Sequence, residues 1–319
     1  MNNSASQAGV IDDGQPAILV RLLGWLTLAL MCAFFVNNIL ELGFGITGLA
    51  HLVVYGVFAI GTFGGVVRSS HRTLRSEATL ISNFNSFLVR GCFFAVLYVG
   101  VVDAGIAWLR VERLLPQLFS EELASALLRS GYIGPTIHFP LACLGFVTAL
   151  FSRTLGFTWL ALLIVVAELL IVISRFVFSY EQSLMGDLVR YWYAALFLFA
   201  SAHTLLEEGH VRVDILFASL DDRRKGIVNA YGTVFLGMVT TAAIFLICLW
   251  SKQSIVNSPV LNFEVSQTGT AGMYIKYQMA IFLLVFAITM QIQFVSYFFE
   301  GVADMRNESG KREVAPISH

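Results

Sequence analysis

FTWLALLIVVAELLIVISRFVF, residues 157–178, holds only two ionisable side chains, Glu168 and Arg175. A run near ~20 apolar residues is what a helix needs to cross the hydrocarbon core of a bilayer. Comparable runs recur at 18–40, 46–67, 84–108, 135–152, 188–206, 228–250 and 278–299. None alternates with a period of two, which excludes a barrel, and helices are the other structure able to satisfy its own backbone polar groups in lipid. The expectation is an all-α integral membrane protein of about eight transmembrane helices. Only Ser152 to Gly156 separate 135–152 from 157–178, so those two spans should form a tight hairpin.

Composition agrees. Apolar residues make up 57% of the 319-residue chain and charged residues 13%, with a mean hydropathy of +0.76. A soluble domain carries about a quarter charged residues. The net charge of -1 gives no reason to expect nucleic-acid binding. Cys32, Cys92, Cys143 and Cys248 all fall in apolar stretches without metal spacing, as buried thiols acting as small hydrophobes would. Residues 1–16 are polar, and the first apolar run lacks a small-residue cleavage site. It is expected to be a span rather than a signal peptide.

Basic residues set the expected orientation, because cytoplasmic loops retain them. One side receives Arg68, Arg72, Arg75, Arg153, Arg212, Arg223, Arg224, Lys225, Arg306, Lys311 and Arg312. The other receives Arg110, Arg113, Arg129, Lys252 and Lys276, mixed with acids. Both termini fall on the richer side, giving N-in, C-in. The leucine-rich segment 110–134 then lies outside, as a helix on the outer membrane face. Val213, Leu216, Phe217 and Leu220 recur at helical spacing ahead of a basic cluster, which predicts an amphipathic interfacial helix over 213–226.

Catalytic signatures are lacking: there is no Walker loop, HExxH, GxSxG or CxxC. His51, His71, His138, His203 and His210 are scattered over different segments, and no cofactor is expected. Ionisable residues at membrane depth usually mark an interior, a partner or an ion path. Asp103 and Glu168 are the clearest, and Arg175 shares a helix face with Glu168 two turns on. Pairing with a neighbouring helix or a second subunit is the favoured reading, and proton or cation transfer is the sharper alternative. Arg21 and Arg90 lie near helix ends, where they can snorkel.

Residues 190–216 read RYWYAALFLFASAHTLLEEGHVRVDIL. Gly209 suits the close of a helix, His210 and Arg212 suit its negative end or inner-leaflet phosphates, and Asp214 suits the cap of the next helix. The string Glu207, Glu208, Gly209, His210, Val211, Arg212, Val213, Asp214 resembles the signature of the small (Q-type, DctQ-like) permease subunit of TRAP transporters. Arg175-Phe176-Val177-Phe178 resembles that family's Arg-aromatic-x-Phe helix ending. The family usually places a Trp and paired acids before its second helix; here 185–190 keeps Asp187, followed by Arg190, and lacks the Trp.

The resemblance implies three parts: residues 1–152 as an N-terminal membrane extension, 153–306 as the four-helix small-subunit domain, and 307–319 as a polar tail. It further implies a small subunit, in the bacterial inner membrane, of a tripartite importer that is driven by an ion gradient rather than ATP. Such an importer moves an organic anion such as a carboxylate. The implied partners are a large membrane subunit, a periplasmic solute-binding protein and the lipid bilayer. Asp103, Glu168, Arg175, Asp187 and Arg190 are expected to serve as partner-interface or intramembrane charges, and the 207–214 corner as a structural motif. A self-sufficient secondary transporter would want inverted repeats and broken helices, for which the glycines of 61–65 are the sole hint. A non-catalytic subunit of another membrane complex is the remaining alternative.

Overall fold

A computed structural model of the protein describes residues 17–154, 157–180, 183–207, 217, 219–266 and 269–311. Among them there is no strand, and eight long helices coincide with the eight apolar runs. In chain order these are α1 (Ile18–Phe44), α2 (Leu49–Arg68) and α3 (Leu74–Val111), then two short helices, α4 (Leu115–Leu118) and α5 (Glu121–Ala126). There follow α6 (Ser130–Phe151), α7 (Phe157–Phe178), α8 (Ser183–Leu206), α9 (Asp222–Leu249), the short α10 (Asn257–Leu261) and α11 (Lys276–Met305). Seven of the long helices are long and apolar enough to cross a membrane. The exception is α8, whose first half carries Asp187 and Arg190. The protein is an all-α membrane protein.

Several helices outrun the apolar stretches that betray them. The expected span at 84–108 begins ten residues earlier as α3, with Ser76 N–H donating to Thr73 Oγ1 at its start. Gly45, at φ 68°, closes α1 in the left-handed region, its N–H bonding the Glu41 carbonyl. Two helices contain a π turn, Gly134–His138 in α6 and Thr233–Met238 in α9.

Two expectations need correction. Residues 110–134 do not form one surface helix. Arg113 breaks the chain at φ 57°, Pro116 opens α4, and Ser120 caps α5 by accepting the Leu123 N–H. Leu115 and Leu127 are buried with Ile133 and Tyr274, and the Tyr274 hydroxyl donates to the Leu128 carbonyl. The segment is thus packed on protein. The predicted helix 213–226 is not continuous either: Asp221 is extended at φ −68°, ψ 159°, and Asp222 to Gly226 form the first turns of α9. Its residues 213–216 and 218 lie outside the described residues.

The chain forms two compact units. The first comprises 1–83, 206–242 and 291–319. A polar seam runs through it. Arg21, which could have snorkelled, is instead fully buried and donates to Glu77 Oε1 at 2.5 Å and Ser69 Oγ at 2.6 Å. The Trp25 indole supplies the second Glu77 oxygen at 2.9 Å. Arg75 joins Glu300 at 2.6 Å and Asp304 at 2.8 Å, and Ser82 and Ser296 share a hydrogen bond at 2.8 Å. At Gly226 the backbones of α9 and α11 come so close that a Cβ would lie 2.6 Å from the Gly301 carbonyl oxygen.

The second unit comprises 84–205 and 243–290. Its core gathers Val89, Phe93, Val96 and Val99 of α3 with Leu160 of α7, Trp192 and Phe199 of α8, and Phe282 of α11. Arg90 is half-buried at its edge.

The close approach at Gly226 yields a stability prediction. Gly226→Ala gains up to ~1 kcal/mol of helix propensity. It also forces a methyl against Gly301 O and Met305 N, and overpacking of that kind costs ~1–3 kcal/mol. Thermal unfolding in detergent should therefore show a lower melting temperature. Gly232→Ala, on the same helix with nothing within 4 Å of its Cβ, should not lower it.

Candidate functional site

The residues singled out by their charge separate into buried and exposed groups. Asp103, on α3, is 0% exposed, and Asp187, on α8, is buried. Glu168 and Arg175 on α7 and Arg190 on α8 are exposed. Glu207 is exposed too, while Glu208, Gly209, His210, Val211, Arg212 and Asp214 lie outside the described residues.

Asp103 anchors a directed chain of hydrogen bonds inside the second unit. Its Oδ1 meets His138 Nε2 at 3.1 Å, and its Oδ2 accepts the Tyr274 N–H at 2.8 Å. A carboxylate is acceptor-only, so the imidazole Nε2 is the donor of that contact. The other ring nitrogen, Nδ1, shares a hydrogen bond with the Tyr277 hydroxyl at 2.7 Å. The Tyr277 oxygen accepts from Gln278 Nε2 at 3.2 Å, and Gln278 Oε1 accepts from the Tyr191 hydroxyl. The hydrogen bonds run unbroken from Tyr191 to Asp103, across α8, α11, α6 and α3.

The same end of the unit pins the stretch Gly272–Tyr274 ahead of α11. Arg110, two turns beyond Asp103 on α3, donates to the Gly272 carbonyl at 3.0 Å. Its guanidinium carbon lies 3.7 Å from the centroid of the Tyr274 ring, a cation–π contact. Asp187 Oδ2 accepts the Met273 N–H at 3.1 Å. Asp103, Arg110 and Asp187 thereby supply partners to backbone that lies outside any helix, the arrangement membrane depth demands of irregular backbone.

Glu168 is the opposite case. It lies on a face of α7 where Val165, Leu169 and Val172 are 63%, 56% and 49% exposed. Among the described residues no hydrogen bond or ion pair reaches its carboxylate. Asp103 and Glu168 are not brought together, and no cluster of three or more His, Cys, Asp or Glu suited to a metal occurs among the described residues. His138, Tyr277, Gln278 and Arg110 were missed by sequence reasoning. His138 was passed over as one of several scattered histidines, and only the π turn at Gly134–His138 and the fold itself bring it to Asp103.

Residues 162–303 match the family model of the tripartite ATP-independent periplasmic transporters, DctQ component. Comparison with curated proteins and with solved structures found no match. The segment 162–303 is similar to the DctQ component, the small permease of TRAP transporters, and additional long helices precede it in the chain. DctQ is a family of transporter components, not of enzymes, and it works with a large subunit and a binding protein.

The buried and exposed carboxylates should respond differently to neutralisation. In Asp103→Asn the amide can serve the His138 proton, but its NH2 then faces the Tyr274 N–H. One buried donor pair is left without an acceptor, at ~1–3 kcal/mol. The melting temperature of the purified chain should fall, whereas Glu168→Gln should leave it unchanged. Equal effects would contradict the division drawn above.

Proposed function

We propose that this chain is the small membrane subunit of a tripartite, ATP-independent importer of an organic anion such as a carboxylate, driven by an ion gradient. It resides in the bacterial inner membrane with both termini inside, and it braces the large transport subunit. Residues 153–306 form the four-helix small-subunit domain, 1–152 an extension of that brace with 110–134 on the outer side, and 307–319 a polar tail. The observation that carries this reading is the DctQ match over 162–303.

The surface chemistry of α7 supports it. A carboxylate on an apolar helix is costly against hydrocarbon and acceptable against a partner that supplies donors. Glu168, Arg175 and Arg190 are assigned to contact with the large subunit. Asp103 and Asp187 hold this chain's own fold. The string Glu207, Glu208, Gly209, His210, Val211, Arg212 and Asp214 is assigned a structural role rather than substrate contact. Substrate and coupling ion bind elsewhere in the complex, because the buried acids Asp103 and Asp187 are engaged with His138 and with backbone.

The test is recovery of the tagged chain from its native membrane in mild detergent, with mass spectrometry of what accompanies it. A many-span membrane protein should be recovered in fixed stoichiometry, and Glu168→Ala should weaken that recovery several-fold while the isolated chain melts normally. Recovery of this chain alone, with solute uptake when it is reconstituted by itself, would overturn the assignment.

A further inference from the structure

Inside the second unit α3, α6, α8 and α11 enclose a cavity of about 470 Å³, within the ~300–1,000 Å³ common for small-molecule sites. Its wall is built from Val96, Val99, Phe146, Phe199, Phe282 and Val285. Phe139 lines it and is itself 68% exposed. We infer that this cavity takes the acyl chain of a bilayer lipid.

Three observations decide the chemistry of the occupant. His138, Tyr191, Tyr277 and Gln278 all touch the cavity, yet their polar atoms are engaged in the chain that ends at Asp103. The wall is therefore hydrocarbon even where its residues are polar. A carboxylate or other anion entering it would lose its hydration and gain no donor, which excludes the class of solute the importer carries. A water cluster fares no better, since an ordered water needs two to four polar partners. Finally, α3, α6 and α11 are long and apolar enough to cross a membrane, so in a bilayer lipid tails are the abundant species around the helices that line the cavity. A tail is apolar, flexible and tethered at one end, and it can enter from the side without leaving the bilayer.

Trp192 reports on the cavity. Its indole is buried at 3% exposure and donates to the carbonyl of Val96, a wall residue. The test uses the full chain with Trp25, Trp108, Trp159 and Trp250 changed to Phe, reconstituted in phosphatidylcholine vesicles with or without bromine on the acyl chains. Emission from Trp192 should fall sharply in the brominated vesicles, although the ring is out of contact with the protein surface. Filling the cavity with Ala142→Phe should restore most of it. If that variant does not fold, Val285→Phe carries the same comparison. A control chain keeping only Trp159, which is 64% exposed, should be quenched with or without the filling substitution. The inference is overturned if brominated chains leave Trp192 undimmed, if both filling variants are quenched as strongly as the parent, or if aqueous iodide quenches Trp192 where brominated chains do not. None of these outcomes depends on a large subunit being present, so they stand apart from the assignment as a transporter component.

Discussion

The Asp103 carboxylate, with no exposed surface, accepts from His138 on one oxygen and from the Tyr274 backbone on the other. In water such a group would be indifferent to its neighbours. In a bilayer every polar atom must find its partner within the protein, because the surrounding hydrocarbon offers none. That constraint organises the second unit. The chain from Tyr191 through Gln278, Tyr277 and His138 ends at this carboxylate, and the irregular backbone at 272–274 is held by the same residue with Arg110 and Asp187. The first unit pairs different residues: Arg21 donates to Glu77 through Nη2, and the Trp25 indole N–H donates to the second Glu77 oxygen.

These networks explain why the charges of this chain mean different things in different places. Asp103 and Glu168 look alike in the sequence, each a lone acid in an apolar run. Packing makes one an internal tie and leaves the other on the exposed face of α7. Burial consumes the hydrogen-bonding capacity of the first. Exposure leaves that of the second unused within the described residues of this chain.

The helices were legible because lipid imposes a length and a composition that survive in the primary structure, as 157–178 shows. Their ends were less so. Hydropathy stops the third span at Phe84, but α3 continues back to Leu74 because Arg75, Glu77 and Ser82 find partners far along the chain. Apolarity cannot register a polar residue that is buried in a pair. For the same reason α8 reads weakly as a span, and Arg21 was expected to reach for the membrane surface. The segment 110–134 misled in the other direction: its leucines are spaced for a surface helix, while Arg113, Pro116 and Ser120 cut it into short turns. His138 could not be tied to Asp103 from sequence, since a separation of 35 residues carries no periodicity that names the pair.

The π turn at Gly134–His138 sets the register of α6. Such a turn holds one residue more than the α-helical turn it replaces, and it is most simply understood as an insertion that the helix has absorbed. Loss of a single residue there would relax the turn to ordinary α geometry and swing one half of α6 about 100° around the helix axis relative to the other. The imidazole would then face away from Asp103 while Phe146 kept its place, or the reverse. In the history of this chain the extra residue and the histidine are therefore a linked pair of characters. A descendant that shed one would be released from keeping the other.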